Sequence, residues 1–92
     1  MSEQAVFDAL RYRIEVDKHG CRRYYNAANQ LHRDGGPAVG YEDGHVEWYQ
    51  NGQLHRIDGP AIVWDGDDEW WYINGVRLTE AEFNQAVKVL GE

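Results

Sequence analysis

A histidine, an arginine and an aspartate close together, as at His55, Arg56 and Asp58, are the parts of an acid–base site. The imidazole would move a proton, the guanidinium would hold an oxyanion and the carboxylate would orient the imidazole. A second set stands at His32, Arg33 and Asp34. Neither set has a nucleophile in its own stretch, because the candidates, Ser2 and Cys21, lie elsewhere in the sequence. Two imidazoles without a third His or a Cys make a poor metal set. The acidic run Asp65–Glu69 lacks the full loop and closing bidentate glutamate of a calcium site. No glycine-rich phosphate cradle is present. No catalytic residue, metal or cofactor is therefore expected.

The two sets belong to one phrase written twice. "QLHRDGGPA" at Gln30–Ala38 matches "QLHRIDGPA" at Gln53–Ala61 in seven of nine positions, at an offset of 23. The offset carries "WYQNG" at Trp48–Gly52 onto "WYING" at Trp71–Gly75. With one extra residue allowed, "GCRRYYN" at Gly20–Asn26 pairs with "GHVEWYQ" at Gly44–Gln50. A catalytic constellation needs no near-copy, whereas an architectural one does. His32, Arg33, Asp34, His55, Arg56 and Asp58 are accordingly expected to tie turns together, with each Arg paired locally to its Asp and each His bonded to backbone.

The elements around the phrase read as antiparallel strands. Leu10, Tyr12, Ile14 and Val16 alternate with polar residues, the period of a half-buried strand. Asn51-Gly52 and Asn74-Gly75 predict type I′ hairpins. Strands are expected near 10–17, 21–26, 38–42, 45–50, 61–65 and 69–73, with short extended pieces at 30–32, 53–55 and 76–78. Thr79 with Glu82 makes a capping box, and Phe83, Ala86, Val87 and Leu90 share one face of the helix that follows, near 79–90. The segment before Leu10 fits either a short helix or an extension of the first strand. The expected fold is mainly β (α+β), a single domain over 1–92. It is an antiparallel hairpin repeat meander with units near 20–43, 44–66 and a partial 67–78, closed by the C-terminal helix.

Charge is uneven along the chain. Of the net −7, the whole imbalance lies between Tyr41 and Glu69, where one Arg faces eight acids. That disfavours direct contact with nucleic acid or anionic lipid and favours a basic protein. A lone cysteine, no apolar run near bilayer length and no secretory leader point to a soluble cytoplasmic protein. The aromatics Trp48, Tyr49, Trp64, Trp70, Trp71 and Tyr72 fall in or beside the acidic stretch, and in "EWWYI" they alternate between two faces of a sheet. The expected partner-binding residues are Glu42, Asp43, Glu47, Trp64, Asp65, Asp67, Asp68, Glu69 and Trp70. The acids would form a row along one edge that imitates spaced phosphates.

The stretch "EWYQNGQLHRIDGPAIVWDGDDEWWYINGVRL" resembles a divergent MORN repeat. It resembles more closely the "NG-x-x-HR-x-DGPA" repeats of small viral and bacteriophage proteins, over about Gly20 to Phe83. Arg-x-Asp-Gly-Pro stands where ordinary MORN units carry Gly-x-Gly, so the lipid contact of those units is not implied. The resemblance implies a repeat sheet with a binding role, and the missing nucleophile and the duplicated phrase make a non-enzymatic protein the expectation. It would place the protein in the host cytoplasm as an inhibitor of a basic host protein or nucleoprotein complex, CRISPR effectors among them. The alternative is a structural module that associates with itself, as a homodimer or end to end.

Overall fold

A computed structural model describes residues 2–64 and 68–91. The chain is mainly antiparallel β-sheet with a helix at each end of the sequence: α1 (Glu3–Arg11), β1 (Arg13–Val16), β2 (Arg22–Tyr25), β3 (Val39–Gly40), β4 (Val46–Glu47), β5 (Tyr49–Gln50), β6 (Gln53–Leu54), β7 (Ile62–Trp64), β8 (Asp68–Ile73), β9 (Val76–Leu78) and α2 (Glu80–Leu90). Seven strands run in the order β1-β2-β3-β4-β7-β8-β9, and β5 with β6 forms a separate two-stranded arm.

The segment before Leu10 is helix. The Ser2 hydroxyl caps it by accepting from the Ala5 N–H at 3.1 Å, and Arg11 sits in its last turn, where the helix dipole favours a cation. The chain then turns extended at Tyr12. Leu10 therefore belongs to α1, and the strand expected from 10 to 17 shortens to Arg13–Val16. The strand expected at 45–50 divides at Trp48, whose N–H donates to Ala61 O at 2.7 Å while its carbonyl accepts from His55 N–H at 3.1 Å. Trp48 thus hands the chain from the sheet to the β5–β6 arm. Tyr24 does the same for the earlier phrase, donating to Ala38 O and accepting from His32 N–H.

The two phrases make matching bonds. His32 Nδ1 accepts from the Asn51 N–H and His55 Nδ1 from the Asn74 N–H, each at 2.9 Å. Asn51, Gly52, Asn74 and Gly75 all have positive φ, as a type I′ turn demands, so each histidine pins the hairpin that follows it. Arg33 lies over the Tyr24 ring with Cζ 4.1 Å from the centroid and donates to Pro37 O; Arg56 lies 3.8 Å over Trp48 and donates to Pro60 O. A Cβ on Gly36 or Gly59 would meet the guanidinium of Arg33 or Arg56 within 3 Å, so a larger residue there would have to displace the stacked arginine.

One expected pairing changes partner. Arg56 bonds Asp58 through Nε at 2.8 Å, but Arg33 does not pair with Asp34. Its Nη2 donates to Asp8 of α1 at 2.7 Å, and Asp34 instead meets Tyr12 Oη and His32 Nε2. The helix supplies a carboxylate that the phrase itself cannot aim at Arg33.

Buried residues fall on both sides of the sheet: Val39 and Ile62 pair on one face through Glu47, while Ala38, Ala61 and Tyr24 lie on the other. At the far end α2 sets buried Phe83 beside Trp71, with ring centroids 6.5 Å apart. Both halves of the Thr79–Glu82 capping box are formed. Leu90, expected on the buried face, is exposed in the last turn.

The Asp8 side chain is 5% exposed, whereas the Asp58 side chain is 73% exposed. Removing a partner from a buried pair costs about 3–5 kcal/mol, against about 0–1 kcal/mol for an exposed one. Urea denaturation of Asp8→Ala is expected to show the larger loss and that of Asp58→Ala the smaller, and equal losses would contradict the buried pairing.

Candidate functional site

The register of the sheet brings together residues far apart in sequence. Ile62 faces Trp70 and Trp64 faces Asp68 across β7 and β8, while Glu47 faces Ile62 across β4 and β7. Side chains two apart on a strand share a face, so Tyr41, His45, Glu47, Trp64 and Trp70 project from the same side. They form a column of rings. Tyr41 and His45 stack with centroids 4.4 Å apart, His45 and Trp64 lie at 4.3 Å, and Trp64 and Trp70 stack at 6.4 Å. Arg77 of β9 lies 4.9 Å over Trp70 and ends the column with a cation.

Tyr41 and Trp70 are each 37% exposed and Trp64 45%, so the column has a solvent face. His45 is buried between its neighbours. Its Nε2 comes within 3.3 Å of Glu47 Oε2 but without hydrogen-bond alignment, so the contact is one of proximity.

The acids divide among several environments. Glu42 and Asp43 lie in the turn from Tyr41 to Gly44, where Asp43 Oδ1 accepts the His45 N–H at 3.0 Å and keeps its other oxygen for solvent. Asp68 shares the face of the column, opposite Trp64. Glu69 alternates to the other face, opposite Val63, and is not part of the column. Glu47 is turned inward and accepts from Tyr49 Oη at 3.0 Å, so it braces the rings rather than meeting solvent. Asp65 and Asp67 lie outside the described residues. Trp64 and Trp70 are thus brought together with Asp68 and the Glu42–Asp43 turn, while Glu47 and Glu69 take other positions.

Sequence reasoning missed Tyr41, His45 and Arg77. The available signal was the spacing of two between His45 and Glu47, which places them on one face; the ring contacts need the register between strands.

The histidines of the phrases have a defined donor geometry. With Nδ1 accepting a backbone N–H, the neutral ring carries its proton on Nε2, so His32 and His55 present a donor there rather than a base. Among the described residues, no group of three or more His, Cys, Asp or Glu side chains is placed to hold a metal ion. Burial pushes the Cys21 thiol above its ordinary value. No helix among the described residues is long and apolar enough to cross a membrane.

Burial first and the neighbouring Glu47 charge second push Tyr49 up to about 12 from 10.0. Below pH 10 both folded and unfolded chains keep this proton, and its contribution to stability is whole. Between pH 10 and about 12 only the unfolded chain loses it, so stability falls as pH rises through that window. Titration of tyrosine absorbance is expected to show a late step near 12 that is missing in Tyr49→Phe; a wild-type curve without it would contradict the packing of Tyr49 on Glu47.

No family model, no curated protein and no solved structure matches the chain.

Proposed function

We propose that the protein is a non-enzymatic binding module that holds a basic protein against the ring column Tyr41–His45–Trp64–Trp70 and its acidic border. The observation that carries this reading is the solvent-facing stack of Tyr41, Trp64 and Trp70 beside Glu42, Asp43 and Asp68. Exposed aromatics with neighbouring carboxylates suit arginine and lysine side chains, which gain from ring faces and from opposite charge together. Arg77 over Trp70 is an internal example of that contact. Glu69 would add charge from the other side of the same hairpin.

In this reading the chain is a hairpin repeat of MORN-like character, and α2 closes its last unit by covering Trp71. Its partner is a basic host protein or nucleoprotein complex, and its role is inhibitory, with carboxylates occupying a groove shaped for phosphates. The matched bonds of the two phrases support the repeat, and the resemblance to phage repeats supports the host setting.

The test is a titration with an arginine-rich peptide, followed by tryptophan fluorescence at low and high salt. Reversing Glu42, Asp43, Asp68 and Glu69 to Lys is expected to abolish binding, and Trp64→Ala to weaken it by about tenfold. Binding that ignores Trp64→Ala would reduce the site to unspecific charge. A concentration-dependent dimer that survives high salt would instead favour self-association through apolar surface.

A further inference from the structure

His45 occupies the middle of the ring column, between Tyr41 and Trp64, and is 8% exposed. The Tyr41 ring lies within 10° of parallel to it. Its Nε2 is buried and has no hydrogen-bond partner among the described residues, because the carboxylate 3.3 Å away, that of Glu47, is out of line. A buried polar atom left unbonded costs stability, so its presence asks for a reason. The other histidines are placed differently. His32 and His55 accept backbone N–H bonds through Nδ1, and His19 is exposed in the turn between β1 and β2.

We infer that His45 is a pH-sensitive switch on the binding surface: protonation of its imidazole sets a positive charge inside the ring column and weakens the column's hold on a basic partner. This rests on the reading of the column as the binding site. Imidazole is the side chain whose ordinary range puts its change of charge between about pH 5 and 8. While His45 is neutral, the Glu47 carboxylate beside it is unopposed, and the Tyr41 and Trp64 rings are available to an incoming cation. Once charged, the imidazolium pairs with that carboxylate across the same short distance and draws on both ring faces itself. The attractions that a partner's arginine would use are then engaged from within, and the two cations repel.

The surroundings leave this change of charge uncompensated among the described residues. Glu47 faces His45 from its own strand, Asp43 accepts its backbone N–H from the turn before it, and Asp68 stands across from Trp64 on β8. From the β1–β2 hairpin, Cys21, Arg23 and Asp17 lie close enough to act on Tyr41. Arg23 and Asp17 pair with each other at 3.2 Å and bring no net charge. Burial pushes the Tyr41 hydroxyl and the Cys21 thiol above their ordinary values, and Tyr49, on the far side of Glu47, is pushed up to about 12. All three therefore keep their protons throughout the range in which an imidazole titrates.

The probe is a capped oligo-arginine peptide, whose own charge is constant over this range, titrated into the full-length protein at about pH 8 and about pH 5.5. Expected is binding weaker by about tenfold at the lower pH, the order of effect of one added like charge at such separations, and a difference under about twofold in His45→Gln. In the free wild-type protein, NMR should show the Trp64 indole N–H shifting with the same midpoint as the His45 imidazole protons, a readout that needs no variant to fold. A pH dependence of binding that survives His45→Gln, or a Trp64 signal that stays still while His45 titrates, would overturn the switch and leave the binding surface standing. So would a His45 imidazole that keeps one charge state across the range. Absence of peptide binding at both pH values would instead strike down the binding reading and the switch together.

Discussion

Each phrase depends on an arginine lying flat on an aromatic ring while its edge donates to a proline carbonyl. A guanidinium is suited to this because it is planar, keeps its charge and offers donors around its rim, so one face can stack while the rim bonds. A lysine would supply neither the plane nor the fork. The arrangement fixes the aromatic residue, and that residue hands the strand from one partner to the next. The following histidine then holds the next Asn-Gly turn through its backbone N–H. Arg33 and Arg56 thus order backbone on both sides of themselves, and much of the sheet's geometry follows from their position.

A sheet one layer thick exposes two faces, and this chain treats them differently. One face receives α1 and α2 at its ends. The other receives no helix among the described residues, and its rings stack upon one another from Tyr41 to Trp70. Stacking hides part of each ring and leaves the rest exposed, which accounts for aromatics that are neither core nor free. Glu47 and Tyr49 stiffen the base of that column, and burial first and the Glu47 charge second hold the tyrosine proton so far from its ordinary range.

Local chemistry was legible where it was self-contained. Asn51-Gly52, Asn74-Gly75 and the Thr79–Glu82 box could be read directly, because the residues that bond are neighbours in the chain. The role of His32 and His55 was legible from duplication. What could not be read depended on distance or on competition between periods. Asp8 and Arg33 are 25 residues apart, and nothing in their own stretches pairs them. Leu10 fits the alternation that continues to Val16, yet helical hydrogen bonds won over the segment behind a serine cap. Tyr41 and His45 meet Trp64 only through strand register, and Glu47 looked like a surface acid until Tyr49 claimed it.

Gly36 and Gly59 each lie directly against the guanidinium of the arginine three residues earlier. A methyl group at either glycine would press on its arginine, which would have to shift to make room. Within each phrase the glycine and its arginine therefore share one space, and any side chain added at the glycine is accommodated only by moving the guanidinium off its ring.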